Sequence, residues 1–329
     1  GLAGAAGAGG LLSSLGGASQ KAPERPEADF GAVLNSQFDS NPAPEITPSR
    51  DQEATAALMI AAMIQAAKSD GTFDENEREK LLNHLGDVAA DEAMQLDTIF
   101  RIYSMTKPVT GVALMMLHEQ GLWEFDDPIS KHVPELANLK VMESYNDAGE
   151  VELVTPGREP TMRELLNHSA GFGYGLGGSD PVNTAFRDSA VLASDDLDTL
   201  IAKVAEIPLL FAPGEQWSYS VAVDIQGYIV QRISGLKFGE FLDQQIFQPL
   251  GMGDTRFYVQ DKDRARFAEV HNWDEERGRL VQRPHRTDRP SYLDPDRLES
   301  GGGGLVSSTH DYARFLQMLV NEGELDGAR

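Results

Sequence analysis

Ser104 and Lys107 stand three residues apart in the run Phe100-Arg101-Ile102-Tyr103-Ser104-Met105-Thr106-Lys107-Pro108, which leads into an apolar stretch reaching Glu119. On a helix this spacing puts a hydroxyl and an amine on one face, one turn apart, where a neutral lysine can take the serine proton. Pro108 places the serine at the helix start, because a proline in the first turn removes only an N–H that has no intrahelical partner. A helix N-terminus also points unpaired N–H groups and partial positive charge at Ser104, which favours a developing oxyanion; the Ser104 N–H is one donor for it. Taken alone, the pattern equally describes an N-cap serine beside a snorkelling lysine. A second copy, Ser234-Gly235-Leu236-Lys237, sits where the amphipathic run Asp224 to Ile233 ends, with Gly235 as its C-cap, so its serine lacks the N-terminal setting.

The chain of 329 residues is long enough for about two domains of ~100–200 residues each. Its 28 Lys plus Arg against 52 Asp plus Glu leave a net charge of −24, which repels phosphate backbones and anionic lipid and argues against nucleic-acid binding. Without cysteine, thiolate nucleophiles, disulfides and cysteine-ligated metal centres are excluded. Residues 1–20 carry no charge and include seven Gly and five Ala. Small residues four apart permit a membrane helix there, but only Leu2, Leu11, Leu12 and Leu15 are large and apolar, so disorder is the favoured reading. Membrane contact is thus confined to residues 1–20, and with no signal peptide visible a cytoplasmic location is favoured. Residues 21–50, with five prolines, read as a linker.

From Glu53 to Lys68 apolar residues recur at helical spacing; after Asp70-Gly71, Asp74 and Glu77 form a capping box that opens a second helix ending near Gly86. Glu75 at the sixth position of the acidic loop, where the calcium loop needs glycine, argues against a calcium site. This hairpin, residues 51–93, resembles tellurite-resistance-B-like helical domains, and the likeness extends over about 1–93.

From about Met94 onward the chain resembles the serine β-lactamase-like superfamily, closest to class C β-lactamases and family VIII carboxylesterases. Beside Ser104-Met105-Thr106-Lys107, the likeness rests on Gly121-Leu122-Trp123-Glu124-Phe125-Asp126-Asp127-Pro128, Leu165-Leu166-Asn167-His168-Ser169-Ala170-Gly171 and Phe211-Ala212-Pro213-Gly214-Glu215-Gln216-Trp217-Ser218-Tyr219-Ser220. Pro249-Leu250-Gly251-Met252-Gly253-Asp254-Thr255 and Gly301-Gly302-Gly303-Gly304-Leu305-Val306-Ser307-Ser308 complete it. The resemblance implies an α+β fold, a helical part plus remnants of an antiparallel sheet, over residues 94–329. It implies Ser104 as acyl acceptor, Lys107 as the group that helps deprotonate it, and Tyr219 as base or proton shuttle. A phenol can act so only where a cation stands close, a part Lys107 can play.

Two departures shape the expected function. Val221 stands where class C enzymes carry an asparagine, which turns the reading toward a carboxylesterase on short-chain esters and away from β-lactamase or D-alanyl-D-alanine peptidase activity. The family's third motif is not found before residue 329, and only Asp87–Leu96 is available for strands ahead of the Ser-x-x-Lys helix, so the domain is expected to be shortened at both ends. A rival reading from another class makes residues 51–90 a helical interaction module beside an inert hydrolase fragment. No Gly-x-Ser-x-Gly is present, the seven histidines lie apart without His-Glu-x-x-His, and no cofactor or metal is implied. His168 reads as part of a structural turn. The four-glycine run lacks the Lys of a phosphate loop and precedes a helix capped near Ser308 or Thr309. Met115, Met116 and Met318 fall on apolar faces and read as core. The stretch from Phe172 to Ser194 shows little periodicity and suits a wall over the site or a plain surface loop.

Overall fold

A computed structural model describes residues 97–146, 149–275, 277–282 and 291–328. The leader and linker expected over 1–50, the hairpin over 51–93 and any membrane contact through 1–20 lie outside the described residues. Strand β1 (Ile99–Arg101) runs into a single 3-10 turn, Tyr103–Met105, and α1 (Thr106–Glu119) follows. The strand ahead of the Ser-x-x-Lys helix therefore lies past Leu96, beyond the Asp87–Leu96 stretch expected to supply it. Ile99 belongs to it because that side chain packs with Val259 and Val306 in a small apolar cluster.

The hairpin β2 (Val141–Tyr145) and β3 (Val151–Val154) comes next, then the short helices α2 (Met162–Leu166), α3 (Pro181–Asp188) and α4 (Leu197–Ala205). Helix α5 (Ala222–Ser234) and α6 (Phe238–Leu242) precede β4 (His271–Asp274), β5 (Arg279–Gln282), β6 (Val306–Ser308) and α7 (Thr309–Val320). Among the described residues the strands form three antiparallel pairs, β1–β6, β2–β3 and β4–β5, which with the helices make an α+β fold. In the first pair Ile99 faces Ser308 and Arg101 faces Val306.

Every residue of α5 from Ala222 to Val230 is buried, the pattern of a helix enclosed on all sides. Helices α1, α2, α4 and α6 pack around it. Helix α1 contributes Val109, Ala113, Leu114 and Leu117, and the buried Trp123 donates its indole N–H to the Leu114 carbonyl at 2.8 Å. Met318 is buried, and Met115 and Met116 are partly buried against the same core. Gly235, in the left-handed region, closes α5, and the Ser308 hydroxyl caps α7 by accepting the Asp311 N–H. The aperiodic stretch after Phe172 contains α3. Its signals are a cap and a proline rather than a period, since Asp180 accepts the Asn183 N–H and Pro181 takes the first helical position.

Two of the sequence stretches lie side by side. The N–H groups of Leu210, Gly214, Ser218 and Val221 donate to the carbonyls of Gly171, Ser169, His168 and Gly173 at 2.7, 2.8, 3.0 and 3.0 Å. Arg158 clamps the pair from outside, donating to both carboxylate oxygens of Glu164 and to the Pro213 carbonyl. Gly171 has φ +94, and a Cβ there would run into the Phe211 carbonyl oxygen. Gly171→Ala is therefore expected to destabilise the protein by about 2–3 kcal/mol, the scale of a forced left-handed residue combined with a clash. A urea denaturation midpoint lowered at unchanged m-value is the check.

Candidate active site

Ser104 lies in the 3-10 turn one residue ahead of the α1 N-cap, Met105, so the α-helix itself begins at Thr106. The turn is tied down on three sides. The Met105 N–H donates to the Ile102 carbonyl at 2.9 Å, the Ile102 N–H donates to the Leu305 carbonyl at 3.2 Å, and the Tyr312 hydroxyl of α7 donates to the Met105 carbonyl at 3.0 Å. Burial pushes the Tyr312 phenol up to about 12, so it stays a donor at every ordinary pH.

The structure brings Ser104, Lys107 and Tyr219 together. The Ser104 and Tyr219 hydroxyls are 2.7 Å apart, and the Lys107 amine is 3.3 Å from the Ser104 Oγ. The same amine donates to the Gly302 carbonyl at 2.5 Å and stands 4.6 Å from the centre of the Tyr219 ring. All three side chains are half-buried, open enough to meet a ligand. Tyr219 ends the segment laced to Asn167–Gly173, just before α5, so its hydroxyl is carried by one helix start and Ser104 by another.

Several neighbours were not singled out as site residues from sequence. The four-glycine run is a turn, as its composition indicated, but the carbonyl that takes Lys107 belongs to it. The Gly301 carbonyl accepts the Thr110 hydroxyl at 2.8 Å, and the Leu305 N–H donates to the Thr106 hydroxyl at 3.2 Å. These bonds stitch the turn to the first residues of α1. The crowding that requires glycine was the signal available, since a run of four glycines marks a place where backbone comes close to other atoms.

His168 sits in the turn the sequence described, at φ +63, but its ring also packs 5.2 Å from the Tyr219 ring. The exposed Trp217 flanks both rings. The Ser220 N–H donates to Nδ1 of His168 at 3.2 Å, which puts the imidazole proton on Nε2. Burial, aided by the charge of Lys107, lowers the His168 pKa to about 4. Ser234 of the second Ser-x-x-Lys copy ends α5 and takes no part in this site.

A serine, a lysine and a tyrosine joined at the start of two packed helices beside antiparallel strands define a β-lactamase/transpeptidase-like protein. Residues 74–329 match the protein family described as Beta-lactamase, and the chain belongs to that family. Residues 1–114 also match the family described as Protein of unknown function (DUF533), in keeping with the helical likeness read from the N-terminal sequence. Where the two matches overlap, residues 97–114 are built into the β-lactamase-like fold through the β1–β6 pairing and the packing of α1 on α5.

A protein of Mycobacterium tuberculosis is 38% identical over 258 residues, covering 77% of this chain and 62% of its own length. Esterase EstB of Burkholderia gladioli is 30% identical over 308 residues, covering 83% and 74%. Among solved structures, simvastatin synthase from Aspergillus terreus superposes with a TM-score of 0.57 at 27% identity, over 69% of this chain and 55% of its own. EstCE1, described as a hydrolase with promiscuous acyltransferase activity, also has a TM-score of 0.57, at 25% identity over 72% and 62%. This chain thus spans between half and three quarters of these relatives.

The His168 environment generates a prediction with a definite sign. The folded state keeps the imidazole neutral down to about pH 4, whereas the unfolded chain protonates it near 6.5. The stabilisation is therefore fully present above 6.5 and lost as pH falls from 6.5 toward 4. Denaturant unfolding at a series of pH values should show a steeper loss over that window in the wild type than in His168→Asn, which keeps an acceptor and tolerates positive φ.

Proposed function

We propose that this protein is a serine hydrolase that forms an acyl-enzyme on Ser104 and takes carboxylic esters as substrates. The observation that carries the proposal is the hydrogen-bonded series from Lys107 Nζ to Ser104 Oγ, 3.3 Å, and on to the Tyr219 hydroxyl, 2.7 Å. Ser104 Oγ attacks the ester carbonyl carbon as its proton passes to whichever of the pair starts without one, the neutral Lys107 amine or the Tyr219 phenolate beside a protonated Lys107. The bond to the alcohol oxygen then breaks, and the alcohol leaves with a proton returned by the same pair. Water attacks the acyl-serine in turn, giving the carboxylic acid and restoring the Ser104 hydroxyl. Neutral His168 adds no second cation beside Lys107, which suits a lysine that must accept a proton.

The choice of esters is supported by Val221. Its side chain is fully buried in the core and its N–H is spent on the Gly173 carbonyl, so this position offers no carboxamide to a lactam. The likeness to Esterase EstB points the same way. A second reading, passage of the acyl group to an alcohol in place of water, uses the same acyl-serine and is supported by the likeness to simvastatin synthase and EstCE1.

A fluorophosphonate probe should label this protein at Ser104, and Ser104→Ala should abolish the added mass. Lys107→Ala and Tyr219→Phe should each slow labelling by about 10²-fold or more, the scale of lost general acid–base help. Labelling that persists in Ser104→Ala removes that serine from the mechanism. For substrate class, a short-chain aryl ester should be turned over faster than a chromogenic cephalosporin; equal rates would overturn the ester assignment. Acid released in water and ester formed with an added alcohol, read by mass spectrometry, separate hydrolysis from transfer.

A further inference from the structure

Asp224 has no part in the steps above, yet it is the most deeply placed carboxyl beside the site. It lies in the first turn of α5, five residues after Tyr219, and is completely buried. Its Oδ1 accepts the Ser300 hydroxyl at 2.5 Å and the Gly302 N–H at 3.1 Å. Among the described residues its Oδ2 takes no hydrogen bond. A buried carboxyl with one oxygen unsatisfied is costly, and a leucine would fill such a place more cheaply.

What Asp224 holds is one peptide unit away from the reacting groups. Gly302 donates its N–H to Asp224 and accepts Lys107 Nζ on its own carbonyl at 2.5 Å. No side chain fits between them. A Cβ on Gly302 would lie 2.5 Å from Asp224 Oδ2 and 2.7 Å from the Tyr174 hydroxyl. Lys107 reaches Ser104 on a flexible four-carbon stem, so the direction of its lone pair depends on what takes its N–H bonds. A fixed carbonyl on the far side supplies that direction.

We propose that Asp224 is a positioning residue for acyl transfer at Ser104: its Oδ1 fixes the Ser300–Gly302 turn, and the Gly302 carbonyl in turn orients the Lys107 amine on the Ser104 hydroxyl. This rests on the serine-hydrolase reading given above. Burial raises the Asp224 pKa, against the pull of its two donors and of Lys107. The part the geometry uses is the Oδ1 acceptor, which takes both the Ser300 hydroxyl and the Gly302 N–H.

The test follows fluorophosphonate labelling of the whole chain over a range of probe concentrations, which separates the maximal rate, kinact, from the probe's affinity, KI. Asp224→Ala removes the acceptor; Asp224→Asn keeps one. Asp224→Ala should lower kinact about ten-fold or more with KI within three-fold, the expected result of a misdirected base, whereas Asp224→Asn should stay within about three-fold of wild type. Thermal melts establish that each variant is folded at the assay temperature. Should Asp224→Ala not fold, Ser300→Ala carries the test, because it frees one of the two bonds and should lower kinact with KI unchanged. A wild-type kinact in Asp224→Ala or Ser300→Ala overturns the proposal. So does an equal loss in Asp224→Asn and Asp224→Ala, which would assign the effect to charge. A wild type that is not labelled at Ser104 overturns the hydrolase reading itself, a result distinct from labelled wild type with unaffected variants.

Discussion

The N-terminal ends of α1 and α5 meet around the Ser300–Gly304 turn. Most of the polar atoms brought there are paired with one another in the same small volume, Asp224 Oδ2 being the exception. The Thr106 hydroxyl accepts the Leu305 N–H, the Thr110 hydroxyl donates to the Gly301 carbonyl, and Asp224 accepts from Ser300 and Gly302. Thr106, Thr110 and Asp224 are all fully buried. The arrangement leaves little freedom, since shifting the turn to relieve one bond breaks another. Lys107 is bonded to the same turn through the Gly302 carbonyl, and that turn is itself tied to the first turns of both helices.

The segment that carries Tyr219 is constrained differently. Its backbone is paired along the Asn167–Gly173 stretch, and its ring lies among His168, Tyr174 and Trp217, with Lys107 near its face. Aromatic rings that meet edge to face or at a tilt resist rotation without adding charge. His168 fits that role because it is neutral there. The depressed pKa of the ring comes first from its burial and second from Lys107, which a protonated imidazole would face as a second cation.

What could be read from the residues alone follows from distance along the chain. Ser104 and Lys107 are joined by helical spacing, so local geometry was enough to pair them. Tyr219 is 115 residues from Ser104, and only the family resemblance connected them before the fold was known. Gly235 and Ser308 were legible because caps are local. Asp224 was not, because an acid in the first turn of a helix is ordinarily a solvated partner of the helix dipole. Only the three-dimensional fact that α5 is buried on all sides from Ala222 to Val230 turns that acid inward. Likewise α3 is too short for a period to show, and β1 is three residues whose membership in a sheet depends on β6, some 200 residues later.

Tyr103 shows what the junction asks of the backbone just ahead of Ser104. Its backbone has φ +43, a left-handed conformation that a bulky residue adopts at a cost of about 1–3 kcal/mol, while half of its side chain stays in solvent. The cost is offset on both sides of it: Ile102 is bonded to Leu305, and the Met105 carbonyl is bonded to the buried Tyr312 hydroxyl. With the chain anchored before and after, Ile102, at φ −88 and ψ −1, ends the extended course of β1, and the left-handed Tyr103 continues the turn that sets Ser104 beside Lys107 and Tyr219. The local strain and the 2.7 Å contact between Ser104 and Tyr219 are therefore two consequences of one tightly anchored turn.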